Sequence, residues 1–413
     1  MVTTTAKRGE NPAQARFFGL PGLRMAEALP RREFMLGAAS LTLAACSGAN
    51  ISGPGGPVAT GPAPTAPAAP GSTIGAGSVK IALLLPLSAG GAAGNTAAVL
   101  RNAAEMAVAE FQGPDITILV KDDGGSAAGA QAAAQAAISE GAEMILGPLL
   151  AESVRGAAAV ARPAGKPIIA YSTDTSVATR GVYLMSFTPQ NTVDRVVQYA
   201  AQQGKRSYAA FVPNSAFGQV VQGAFQEAVS RSGGRVVAIE TFPLEANGVT
   251  SAASRLSGIA GQIDAIFVPD PYDGTAVRAL SSAGIDTRRV QVLGVGPWVG
   301  NRAAAQAAPT AVYAAPDEAG FQNFAGRYRA RFNQDPARIA SLTYDSVSLI
   351  AALVRTQGSQ RFSETVLTNA SGFNGVDGLF RFRADGSPQR GLAIIQAGGR
   401  VVSPAPRSFG ASA

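Results

Sequence analysis

The chain alternates short uncharged apolar runs with longer stretches whose apolar residues recur every three or four positions, and this cadence starts abruptly at Lys80. Lys80 to Pro86 lacks the every-other-residue polarity of a half-exposed strand, so it reads as a parallel strand buried on both faces. Asn95 to Phe111 reads as a helix, because Leu100, Ala104, Ala107 and Phe111 fall on one face. Strands are expected at 116–120, 143–146 and 167–171, with helices over 126–139 and 153–162. After about residue 190 the cadence restarts, with strands at 208–212, 235–240, 264–268 and 290–295. Helices near 217–232, 249–260 and 274–284 separate them. Two successive strand–helix series imply an α/β chain of two doubly wound lobes with parallel sheets.

The ending departs from a simple tandem. Two long helices over 318–332 and 339–355 and a short one near 363–369 precede the next strand-like runs, at 379–382 and 392–396. A chain that crosses back to the first lobe and then returns to the second explains this order. The expected division is 80–190 with 317–374 in one lobe, 191–316 with 375–400 in the other, and a tail over 401–413.

The segment before Lys80 has a different character. A basic stretch ends in Arg31-Arg32-Glu33-Phe34, and ten uncharged, mostly apolar residues follow from Leu36 to Ala45. Ten residues are too few to span a bilayer core of about 30 Å as a helix, so residues 1–45 read as a signal peptide. Met25 is an alternative start. Leu43-Ala44-Ala45-Cys46 resembles the lipobox of bacterial lipoproteins, which implies lipidation of Cys46. Arg31-Arg32 resembles a twin-arginine export signal, although ordinary signals also carry arginine pairs. Residues 47–79 hold no charge and consist largely of Gly, Ala, Pro, Ser and Thr. With the lipidated cysteine, 46–79 is expected to be a disordered tether reaching roughly 30 Å or more.

Composition then removes function classes. Among 413 residues there is no histidine and one cysteine. That excludes a Ser-His-Asp triad, a Cys-His pair, histidine-ligated metals, internal disulfides and iron–sulfur clusters. No nucleophile–base pair or metal constellation stands out, so neither an enzyme, a cofactor nor a metal is expected. The net charge of +7 does not indicate nucleic acid: residues 1–45 hold six Lys/Arg against three Asp/Glu, and the remaining 28 against 24 are scattered.

Several short segments, taken in order over about 80 to 396, resemble the type I periplasmic binding proteins, in particular their leucine/isoleucine/valine-binding branch. They are Lys80 to Ser88, Leu119-Val120-Lys121-Asp122-Asp123-Gly124-Gly125, Ile145-Leu146-Gly147-Pro148-Leu149 and Lys166 to Ser172. Leu342-Thr343-Tyr344-Asp345-Ser346 and Gly375-Val376-Asp377-Gly378-Leu379-Phe380 complete the set. The resemblance implies two hinged lobes joined by three crossings, closing on a ligand without chemistry.

In open parallel sheets ligands bind beyond the carboxyl ends of the strands, near helix N-termini. That rule selects the loops 88–91, 149–153, 172–175, 214–217, 270–273 and 296–298. The candidate ligand residues are Ser88, Leu150, Ala151, Ser153, Ser172, Thr173, Asp174, Phe217, Tyr272, Asp273 and Trp298. Ser172, Asp174 and Asp270 equally suit turns and caps, and Phe217 and Tyr272 equally suit packing on their own lobe. Asp122 and Asp123 read as strand-ending or helix-capping residues, and Trp298 as a cleft wall. The family's amino-acid binders place a serine hydroxyl where this chain has Ala151, with Ser153 the alternative register. They also place an acidic residue near Gly296, where Gly294-Val295-Gly296-Pro297-Trp298 has none. Asp174 or Asp273 could supply that charge from another loop.

Two roles follow as expectations. One is a lipid-anchored protein on the periplasmic face of the inner or outer membrane that delivers an amino acid or similar small polar solute to an ABC permease. The other is suggested by a resemblance to the C-terminal part of penicillin-binding-protein activators, which regulate a peptidoglycan synthase by contact. Those activators usually carry a helical-repeat domain that 47–79 cannot contain.

Overall fold

The computed structural model describes residues 72–409 apart from 244. The signal segment, Cys46 and residues 47–71 lie outside the described residues. The chain opens with β1 (Thr73–Ile74) and β2 (Val79–Leu85), then α1 (Gly91–Glu110), β3 (Ile116–Asp122), α2 (Ala127–Ser139) and β4 (Ile145–Leu146). α3 (Ala151–Ala161), β5 (Ile168–Ala170) and β6 (Val182–Leu184) complete the first series. The six strands form one sheet in the order β1-β3-β2-β4-β5-β6, parallel except for β1.

β2 shows why its sequence lacks alternation. Ile81, Leu83 and Leu85 point into one core with Leu100 and Ala104 of α1, whereas Ala82 and Leu84 point into another with α2 and α3. On that second face the helices are alanine-rich because they pack closely. A Cβ on Gly156 of α3 would stand 2.0 Å from the carbonyl oxygen of Ala127, so only glycine permits this approach. Ser126 caps α2, its Oγ accepting from Gly129 N at 3.1 Å.

The second series begins with α4 (Pro189–Gln202), followed by β7 (Ser207–Pro213), α5 (Ala216–Arg231), β8 (Arg235–Phe242) and α6 (Ala246–Ser257). It continues through β9 (Ala265–Phe267), α7 (Thr275–Ser282), β10 (Gln291–Gly294), α8 (Arg302–Ala307) and β11 (Val312–Ala315). β7 repeats the two-faced pattern: Ala209 and Phe211 join one core, and Tyr208, Ala210 and Val212 the other. The chain then returns to the first core through α9 (Glu318–Phe332) and α10 (Ala340–Thr356), whose Leu342, Val347 and Ile350 pack with β2 and β3. α11 (Glu364–Leu367) leads to β12 (Phe373–Gly375), β13 (Gly378–Phe382) and β14 (Pro388–Arg390), a small antiparallel sheet of their own. Finally β15 (Ala393–Gln396) and β16 (Val401–Ser403) extend the second lobe's sheet, in the order β16-β15-β11-β10-β9-β7-β8.

Three expectations from the sequence are corrected here. The tether does not run to 79: Thr73 and Ile74 pair antiparallel with Leu119 and Ile118, and Ile74 is buried in the first core. Residues 375–390 do not belong to the second lobe, because Phe380 and Phe382 fill the first lobe's core beside Tyr183. The final return therefore falls at Leu392, which packs in the second lobe's core. The segment from 401 is not only a tail, since Val401 pairs with Ile395 and Ser403 with Ile394.

Candidate functional site

The carboxyl ends of β2, β3, β4 and β5 bring one set of candidate residues to a single rim. Ser88 is exposed just beyond β2, and its backbone N–H donates to Asp122 Oδ1 at 3.1 Å. Gly124 N donates to the same oxygen at 3.0 Å. Burial alone would raise the Asp122 carboxyl, but the hydrogen bonds from Ser88 and Gly124 outweigh it and hold the group below its ordinary value. The rim is continuous with α3: a Cβ on Gly125 would lie 3.4 Å from Leu150 Cδ1 and 3.6 Å from Ala89 Cβ. Leu150 is the N-cap of α3 and makes no side-chain cap, while Glu152 stands in the first turn, where a negative charge is favoured.

Asp123 is fully buried behind this rim. One carboxylate oxygen accepts from Gly125 N at 2.8 Å and the other has no hydrogen-bond partner. Burial pushes the Asp123 carboxyl up to about 6, against the Gly125 hydrogen bond and with help from neighbouring Asp122. Its carbonyl accepts from Ser126 N at 3.2 Å, so it closes the turn into α2.

Beyond β5, Ser172 is buried and accepts through Oγ from Asp174 N at 3.2 Å, and Thr173 is exposed at the rim. Asp174 caps a short turn by accepting from Ser176 N at 2.9 Å and pairs with Arg155 of α3 at 3.1 Å. The hydrogen bonds from Ser176, with the Arg155 charge added, hold the Asp174 carboxyl below its ordinary value. Asp174 is thus occupied within its own lobe. Ser153 leaves the candidate set, because it is fully buried between α3 and α2 with Oγ 3.4 Å from the Ser126 carbonyl.

The second lobe supplies a matching rim at the ends of β7, β9 and β10. Phe217 sits in the first turn of α5, half-buried against the core beneath it. Asp270 Oδ1 accepts from Tyr272 N at 2.8 Å and turns the chain. Tyr272 and Asp273 follow with φ of 48° and 50°, two successive non-glycine residues in the left-handed region, a strained arrangement typical of functional loops. Tyr272 packs on the core and Asp273 is exposed.

Trp298 is not a cleft wall. It is 2% exposed and its Nε1 donates to the Val268 carbonyl at 2.7 Å. Its indole occupies the space where a Cβ on Gly294 would fall, 2.3 Å from Cδ1. It belongs to the second lobe's core.

One residue was not anticipated from the sequence. Gln190, in the first turn of α4, reaches from the second series to the first rim, with Nε2 3.4 Å from Thr175 Oγ1. Its Oε1 is enclosed and has no hydrogen-bond partner. The signal that places it there is the spacing of Val193, Val196, Val197 and Ala200, which marks α4 as amphipathic directly after Pro189.

The chain thus has two doubly wound lobes linked by three crossings, each with a set of loops at the carboxyl ends of its parallel strands. Residues 78–400 match the family model described as periplasmic binding protein, and the chain belongs to that family. No curated protein matches it in sequence. Among solved structures, a putative branched-chain amino acid ABC transporter protein from Rhodospirillum rubrum is 19% identical, covering 79% of this chain and 99% of that one with a TM-score of 0.67. A substrate-binding protein from Desulfitobacterium hafniense, solved with Leu, is 19% identical over 78% and 99% with a TM-score of 0.56. A solute-binding protein from Rhodopseudomonas palustris BisB5, solved with 3,4-dihydroxybenzoic acid, is 20% identical over 81% and 98% with a TM-score of 0.52. These likenesses show a shared fold.

Proposed function

We propose that this chain is the periplasmic substrate-binding component of an ABC importer for a small carboxylate-bearing solute, an amino acid or a similar molecule. The observation that carries this reading is the first rim. There the start of α3, uncapped by any side chain, lies at the same set of strand ends as exposed Thr173 and Ser88. Backbone N–H groups at a helix start and nearby hydroxyls suit a carboxylate. Gln190 supplies a link between lobes, and the two lobes close on the ligand. If the solute carries an ammonium, exposed Asp273 on the second rim can meet it, whereas Asp174 on the first rim is held by Arg155.

A thermal-shift screen of the full chain against amino acids and aromatic carboxylates tests this. One class is expected to stabilise the protein by roughly 2.7 kcal/mol at about 100 times its Kd. The stabilisation is expected to disappear in Thr173→Trp, which fills the first rim. A flat screen, with capture of a peptidoglycan synthase instead, would sink the transport reading.

The proposal includes export and anchoring through lipidated Cys46. Among the described residues no helix is long and apolar enough to cross a membrane. Cys46→Ser is expected to move the protein from the membrane fraction to the soluble one, and unchanged fractionation would refute the anchor.

A further inference from the structure

α4, the exit of β13, the end of β14 and the segment after β16 wall a cavity of about 390 Å³ whose lining includes none of the candidate ligand residues. That volume lies within the range of small-molecule sites, roughly 300–1,000 Å³. Three arginines from three segments line it: Arg195 on α4, Arg383 after β13 and Arg390 at the end of β14. Asp194 is the acidic side chain among the lining residues, and it is already paired with Arg231 at 2.5 Å.

The three cations are unevenly answered. Arg195 is half-buried and spends its donors on neutral oxygens, Nε on the Leu392 carbonyl and an Nη on Ser403 Oγ, both at 2.8 Å. Arg390 is 6% exposed, with Nε on the Ser186 carbonyl at 3.0 Å and Nη1 without a hydrogen-bond partner. Asp345 and Asp377 act on it from the protein interior. Arg383 is exposed, and Asp194 and Asp385 feel its charge. A cation drawn out of water without a carboxylate partner is costly, so the Arg195 side of the cavity favours an anion. The lining also includes apolar Pro406 and Phe409, whose ring centroid lies 4.7 Å from the Arg381 guanidinium carbon.

We infer that this cavity is a second binding site, for a small organic carboxylate. Its charged end meets the Arg195 and Arg383 guanidinium groups, and its apolar body lies against Pro406 and Phe409. Planar guanidinium groups match a carboxylate in two-point geometry, and the apolar lining selects against inorganic anions. Because α4 belongs to the second lobe and Arg383 and Arg390 flank the first lobe's small sheet, an occupant touches both sides of the hinge. The inference does not depend on what the rims bind.

The test is isothermal titration of the full chain carrying Thr173→Trp, which removes the rim as a competing site, with benzoate and with inorganic sulfate at low ionic strength. Benzoate is expected to bind saturably and sulfate at least about tenfold more weakly. Adding Arg383→Glu at this exposed position is expected to weaken benzoate at least about tenfold. Absence of saturable benzoate binding, indifference to Arg383→Glu, or equal affinity for sulfate would each overturn the inference.

Discussion

Gly147→Val is expected to remove roughly 3–5 kcal/mol of stability, a large share of the 5–15 kcal/mol typical of a folded domain. Gly147 leaves β4 with φ of 76°, where any side chain costs about 1–2 kcal/mol. The larger contribution is steric. A Cβ at Gly147 would stand 2.2 Å from the carbonyl oxygen of Leu84 in the neighbouring strand, and that backbone is fixed by its own ladder. Gly147 N meanwhile donates to Ile169 O at 2.8 Å, so the residue is clamped between two strands and cannot swing aside. Gly165 provides the control: it has φ of 65° and open space, with nothing within 4 Å of where a Cβ would stand, so Gly165→Ala should cost only about 1 kcal/mol. Urea unfolding of both variants measures the difference. Equal losses at the two positions would show that the Leu84 contact does not limit the site.

Stability is expected to fall as pH rises from about 4 to about 7, and Asp345 to account for the largest part. This carboxylate is 4% exposed, and its two oxygens lie 2.9 and 3.0 Å from Val376 N. Burial pushes its carboxyl up to about 7, against the Val376 hydrogen bond and the Arg390 charge and with help from Asp377. A carboxyl raised in the folded state keeps its proton where the unfolded chain has lost it. The folded state thus binds more protons between about pH 4 and 7, and stability declines across that window by on the order of 2–4 kcal/mol. Asp123, raised to about 6, adds a smaller decline of the same sign. Asp122, Asp174 and Asp264 are lowered and work the other way: the stability they contribute is lost as pH falls below the ordinary carboxylate range. Asp345→Asn keeps an oxygen for Val376 N and removes the titration, so urea midpoints at pH 4.5 and 7.5 should converge. An undiminished slope in that variant would rule out Asp345 as its source.

The fold was largely legible because parallel strands buried on both faces write themselves as uninterrupted apolar runs. Ile81 and Leu83 on one face and Ala82 and Leu84 on the other make a pattern that little else produces. Where reading failed, the deciding contacts were distant in sequence. Trp298 is core because Gly294 leaves room for its ring and Val268 offers a carbonyl. Neither fact is visible in Gly294-Val295-Gly296-Pro297-Trp298. Ile74 sits in a stretch whose composition suggests a tether, and only pairing with β3 reveals it as an edge strand. The run at 379–382 reads from the sequence as part of the second lobe, and only the packing of Phe380 and Phe382 beside Tyr183 places it in the first. Of the candidate residues, what the sequence made legible was their place at strand ends. Ser88, Leu150, Ala151, Ser172, Thr173 and Asp174 do share one set of strand ends. The neighbours that occupy Asp174 and Ser153 depend on how α3 packs.

The last crossing is short. Only Gly391 and Leu392 separate the end of β14 in the first lobe's small sheet from the start of β15 in the second lobe's sheet. Arg390 at its edge grips the first crossing through the Ser186 carbonyl and stacks over Phe187 at 4.3 Å. A joint this short and this tightly fastened has almost no slack for sliding. If the lobes move against one another, a joint this short favours rotation about an axis close to Gly391. Displacement then grows with distance from that pivot, so the loops farthest from it travel most and the hinge-side wall hardly at all.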